Sequence, residues 1–120
     1  MKLPVVFQRL EGLVVALSVS IFYFISGGNI LLFIITILAI DVFMVGYLLD
    51  KKIGALVYNL GHSYILSVLL LLFSYIDQSG VMADISLVWI IHIAIDRAFG
   101  FGLKHTTGFS DTHLGKIGRK

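Results

Sequence analysis

The chain has 120 residues, 58% of them hydrophobic and 13% charged, with a mean hydropathy of +1.00. Soluble domains carry roughly 25% charged residues, so a water-soluble globular fold is not expected. The net charge is +2 and there is no Cys, which excludes thiolate metal sites and cysteine nucleophiles. The basic residues stand at the ends of apolar runs rather than on one face, which argues against nucleic acid as a partner.

The first apolar run, residues 10–27, follows Lys2 and Arg9 and contains Glu11, Gly12, Ser18 and Ser20. A basic start with small residues at Ser26-Gly27-Gly28 also fits a secretory signal. The chain beyond it stays membrane-like, so a span is expected instead. The second run, residues 30–49, has one charge in its middle, Asp41, and closes at Asp50-Lys51-Lys52. The third, residues 53–76, gathers Tyr58, Asn59, His62, Ser63 and Tyr64 in its first half; Ile65 to Phe73 is Leu/Val/Ile-rich and expected to face lipid. After Asp77-Gln78-Ser79-Gly80 comes the fourth run, residues 82–103, holding Trp89, His92, Asp96 and Arg97.

Each run is close to the ~20 residues of a spanning helix. The short turns make neighbours antiparallel. The expectation is an all-α integral membrane four-helix bundle, up-down-up-down, over residues 1–104. A tail, residues 105–120, follows, expected to be solvated, although His105, Asp111 and His113 could fold back over the mouth. Lys and Arg occur at Lys2 and Arg9, at Lys51 and Lys52, and at Lys104, Lys116, Arg119 and Lys120, while the first and third turns have none. A multi-pass protein of a cell membrane with both termini cytoplasmic is expected, the lipid bilayer being its first partner.

With that orientation, Asp41 and His62 lie roughly 13 Å deep, and His92 and Asp96 roughly 16 and 10 Å deep. Ionisable groups at one level of a ~30 Å core are costly and mark function. His92 and Asp96, four apart, share a helix face. Two imidazoles and two carboxylates suit a divalent transition metal, zinc, iron or manganese, with Asp41, His62, His92 and Asp96 as ligands. Asp96 could alternatively orient the His92 ring. Glu11 and Arg97 are the candidate catalytic groups, Glu11 as a base below the same cavity. Gly100 and Gly102 read equally as a helix end and as room for a substrate.

Arg9-Leu10-Glu11-Gly12, Asp41 with Gly46-Tyr47-Leu48, Tyr58 to Tyr64, His92 to Lys104 and Asp111 to Gly115 resemble a bacterial membrane family, domain of unknown function 4260. That resemblance implies a small inner-membrane protein and brings no activity with it. Asp41, His62-Ser63, His92, Asp96 and Gly100 are more loosely similar to the membrane-bound metal-dependent hydrolases. Val42-Phe43-Met44 and Leu60-Gly61 depart from that family's acidic, histidine and basic positions. The similarity implies metal-assisted hydrolysis of a membrane-delivered substrate. The alternatives are an ion- or proton-coupled carrier, which would need a homo-oligomer, and a non-catalytic accessory protein whose polar cluster holds the bundle together.

Overall fold

The computed structural model describes residues 2–117; Arg119 and Lys120, counted above among the basic residues of the tail, lie outside them. Helix α1 (Leu3–Ile25) is followed by α2 (Ile30–Ala39), which runs on as a 3₁₀ stretch, Ile40–Leu48. Then come α3 (Lys51–His62), α4 (Tyr64–Asp77) and α5 (Gly80–Phe99), and a small antiparallel hairpin of β1 (Asp111–Thr112) and β2 (Gly115–Lys116).

The turns carry their own start signals. Asn29 Oδ1 accepts the Leu32 N–H, Asp50 Oδ1 the Ile53 N–H and Ser79 Oγ the Met82 N–H. Each satisfies an amide that a helix start leaves without a partner. Three boundaries differ from the expected runs. Helix α1 begins at Leu3 rather than Leu10, with Pro4 in its first turn, where a missing amide costs nothing. Helix α5 stops at Phe99 rather than near Leu103, because Gly100 takes φ 88° and the Phe101 N–H returns to Asp96 O. The third run is broken: Ser63 is extended, and α3 and α4 meet there with a 40° bend.

Two helical segments, Leu3–Ile25 and Ile30–Leu48, are long and apolar enough to cross a membrane, and the bent α3–α4 pair makes a third if it is one span. The expected fourth span, α5, carries Asp84, Asp96 and Arg97 and is the inner helix, with Val88, Ile90, Ile91, His92, Ile93 and Ala94 buried. Helices α1, α2 and α4 pack around it, while α3 packs on the 3₁₀ stretch. Contact with α1 is close: a Cβ on Gly12 would stand 2.7 Å from both Ala94 O and Arg97 Cβ. Tyr23, Val88 and Ile91 form the apolar core.

The distribution of polarity is inverted relative to a soluble protein. Leu13, Val14, Leu17, Ile21, Ile35, Leu38, Leu69 and Leu72 are exposed, while His62, His92, Arg97, Ser67 and Ser86 are buried. That arrangement suits a lipid solvent, in which polar groups must be satisfied inside the protein. The apolar half of the third run behaves as expected, with Ile65, Val68, Leu69, Leu72 and Phe73 outward.

The tail is not solvated as expected. Asn59 holds both backbone groups of Lys104, accepting from its N–H at 2.7 Å and donating to its carbonyl at 2.9 Å. His113 donates from Nε2 to Gln8 Oε1 at 2.9 Å and accepts the Leu103 N–H on Nδ1 at 2.8 Å. Arg9 Nε–H donates to Ala98 O at 3.0 Å. The start of α1, the end of α5 and the tail therefore share one end of the molecule. At the other end, Phe22 of α1 lines a cavity with Gln78, Ser79 and Gly80 of the turn before α5.

Candidate metal centre

Both irregularities of the backbone lie at the polar cluster. A change from i−4 to i−3 bonding skips a carbonyl. Ile37 O stands at that change and accepts from His92 Nδ1 at 2.6 Å. The break at Ser63 leaves the last carbonyls of α3 without amides. Side chains of α5 take them: Trp89 Nε1–H donates to Gly61 O at 2.6 Å and an Arg97 Nη2–H to His62 O at 2.8 Å. The second Arg97 nitrogen, Nη1, donates to Phe101 O at 3.1 Å.

Those bonds determine the histidine tautomers. A carbonyl can only accept, so Nδ1 carries the proton in His92, and equally in His62, whose Nδ1 donates to Tyr58 O at 3.0 Å. In each neutral ring the lone pair is then on Nε2. Both Nε2 atoms face the same two carboxylates. His62 Nε2 is 3.4 Å from Asp41 Oδ1 and 3.8 Å from Asp96 Oδ2; His92 Nε2 is 3.4 Å from each. His92 Nε2 is buried and has no hydrogen-bond partner. The rings are held rigidly, that of His62 stacked on Tyr58 at 3.8 Å and 3° and edge-on to His92 at 5.3 Å.

The four residues singled out by depth are thus together. The ligand atoms of Asp41, His62 and His92 all lie within 4.8 Å of one another; Asp96 stands outside that set of three, with Oδ2 at 3.8 Å from His62 Nε2 and 3.4 Å from His92 Nε2. Asp96 meets the His92 ring at Nε2, while Nδ1 is taken by Ile37 O. Charge-assisted hydrogen bonds would close to about 2.8 Å. Ligands around a tetrahedral ion at metal distances of 2.0–2.2 Å stand about 3.3–3.6 Å apart, and three of the four imidazole–carboxylate distances here are 3.4 Å.

Glu11 is not at this cluster. It lines a separate cavity of about 320 Å³ with Gln8, Ser63, Tyr64, Arg97 and His113, in which Ser63 Oγ is buried without a hydrogen-bond partner. Arg97 donates to two backbone carbonyls, so its visible work is to hold the bend and the end of α5. His105 is exposed, and its N–H donates to Asp111 O within the tail. Three residues outside the expected ligand and catalytic set take part. Tyr58 stacks on His62, four positions along the same helix, a spacing that could have found it. Asn59 anchors the tail, and Lys104 is buried over the Tyr58 and Phe109 rings; no local pattern signals either.

Neither a curated protein nor a solved structure matches this chain. The family model described as Domain of unknown function (DUF4260) matches residues 5–117, and the chain belongs to that family.

Proposed function

We propose that the protein is a multi-pass membrane protein in which at least three of Asp41, His62, His92 and Asp96 hold one divalent transition metal (zinc, iron or manganese), and that this centre hydrolyses a membrane-delivered substrate. The observation that carries the reading is the pair of Nε2 lone pairs, aimed by backbone-held Nδ1–H groups at two carboxylates 3.4–3.8 Å away. Without a cation, lone pairs face anions in a weakly polar interior, and one carboxylate must take up a proton. A dication removes both conflicts with the ligands already present.

Asp41, with 55% of its side chain exposed, supports an open coordination position, where a bound metal activates water. With Asp41, His62 and His92 as the three ligands, Asp96, 3.4 Å from His92 Nε2, would be left to take the proton of that water, while Glu11 lines another cavity. In this reading α5 is the fourth crossing of an up-down-up-down bundle. Its charges face the interior, and both termini lie on the cytoplasmic side with Lys2, Lys51, Lys52 and Lys104.

Elemental analysis of the purified protein tests the reading. About one equivalent of metal is expected, lost in His62→Ala and His92→Ala and kept in His105→Ala. Folded wild-type protein that carries no metal and takes up no zinc, iron or manganese would return the cluster to a proton relay in a carrier or to helix-joining glue.

A further inference from the structure

A cavity of about 280 Å³ opens on the carboxylate side of the cluster, lined by Asp41, Asp96 and Lys104 and by the apolar Met44, Phe101 and Phe109. Lys104 is 4% exposed. Its backbone is pinned by Asn59, so the side chain leaves from a fixed point. Its Nζ lies 4.6 Å from the centre of the Tyr58 ring and 3.9 Å from that of Phe109. Among the described residues it forms no ion pair with a carboxylate. Ring faces attract an ammonium more weakly than the water it has lost. Burial lowers the Lys104 pKa from 10.5 to about 8, which still leaves the group charged at neutral pH. This buried cation shares its cavity wall with Asp96, whose charge it feels without an ion-pair contact, and so can meet an anion that enters.

The charge balance points the same way. Two carboxylates and a dication cancel, so the loaded pocket is positive by the one charge of Lys104. A phosphate can present one oxygen to a metal and another to an ammonium, which binds it as a point charge. Cavities for whole drug-sized molecules run upward from ~300 Å³, so this one suits a head group. Met44, Phe101 and Phe109 are themselves partly exposed and lead outward as an apolar rim for the organic remainder.

We infer that this cavity is the substrate pocket of the centre proposed above, and that Lys104 binds there the phosphate group of a phosphorylated substrate. The inference rests on that metal reading, and the test separates the two. Metal content and helical circular dichroism are measured on wild-type, Lys104→Met and Lys104→Arg protein in detergent. Each is then titrated with inorganic phosphate and with short-chain phosphatidic acid, followed by ³¹P NMR. Metal-loaded wild type should bind, Lys104→Met about tenfold or more weakly, and Lys104→Arg within a few-fold of wild type, all at equal metal content. Stronger binding of the lipid would support a lipid head group as the source, and equal binding a soluble phosphate. Metal-loaded protein that binds neither probe, or binds them equally well in Lys104→Met, overturns the role of Lys104 and leaves the centre standing. Wild type without metal overturns the centre and this pocket with it.

Discussion

Arg97 distinguishes a supporting role from a reacting one, and Arg97→Met is the perturbation that does so. The guanidinium is buried and donates to His62 O at 2.8 Å and to Phe101 O at 3.1 Å. Losing a donor to a buried carbonyl costs about 1–3 kcal/mol each. Removing a desolvated charge works in the opposite direction by a comparable few kcal/mol. The two nearly cancel, so melting temperature is a poor readout. Metal affinity is a better one, because His62 O belongs to the residue whose Nε2 faces the carboxylates. Groups that orient a ligand without touching the ion are worth about ten- to a hundredfold in affinity. Arg97→Met should therefore weaken metal binding by that factor in competition with a chromophoric chelator at fixed pH. Arg97→Lys should fall between, since one ammonium cannot reproduce the planar fork that reaches both carbonyls. Wild-type affinity in Arg97→Met, alongside its loss in His62→Ala, would refute the argument that the bend holds the ligand in place.

Gly12→Leu should prevent α1 from seating on α5, since even a Cβ would stand 2.7 Å from Ala94 O and Arg97 Cβ; a loss of about 1–3 kcal/mol or more is expected in detergent unfolding, whereas Leu13→Ala on the exposed side should change little. Trp89→Phe leaves Gly61 O without its donor while keeping an aromatic ring against Phe43, and should lower stability by about 1–2 kcal/mol by the same measurement. Cysteines at Ser26 and Gln78 should react with an impermeant thiol reagent from outside the cell and one at Lys52 should not; labelling of Lys52→Cys from outside would reverse the topology. His113 has its pKa lowered from 6.5, first by burial and then by Arg97. Its unfolded form therefore binds the proton more readily, and the tail contact is secure above about pH 6.5 and weakens as pH falls below it. The protection factor of the Leu103 amide, whose N–H the neutral ring accepts, should be smaller at pH 5 than at pH 7 once the intrinsic rates are divided out, and should lose that dependence in His113→Gln.

The convergence of Asp41, His62, His92 and Asp96 was legible because it follows from few quantities: where each apolar run ends, which way it points, and the rise per residue. The helix starts at Asn29, Asp50 and Ser79 were legible in the same way, as polar residues in turns. The tail was not. Asn59 and Lys104 are 45 positions apart, and Gln8 and His113 are 105 apart. Nothing near either partner announces the other. Lys104 was legible only in part: as a charge just after an apolar run it reads as a topology signal, and only the fold reveals that its Nζ lies over the Tyr58 and Phe109 rings. Glu11, expected on the floor of the same cavity, lies off to one side of it, since Gly12, the residue that touches α5, turns its neighbour toward Ser63 and Tyr64.

The 3₁₀ stretch and the bend were hidden for a physical reason that also bears on what the cluster is for. Ile40–Leu48 contains no Pro, and neither Gly61 nor Ser63 need break a helix alone. The local sequence permits a regular α-helix at both places, and packing overrides it. A Cβ on Gly61 would fall on the Phe43 ring, so α3 and the 3₁₀ stretch approach there more closely than side chains otherwise allow. Each irregularity releases backbone carbonyls into a low-dielectric interior, a cost that helix association alone does not require. Those carbonyls are the ones engaged by His92, Trp89 and Arg97. Neutral histidines serving only as interhelical glue would direct their one proton across to the carboxylates, whereas an imidazolium donates to both sides. Here the Nδ1 protons are committed to carbonyls, and the Nε2 atoms are left facing Asp41 and Asp96. Nε2 atoms that face carboxylates need a bridging proton or a bridging cation, and the metal content of the purified protein decides between the two.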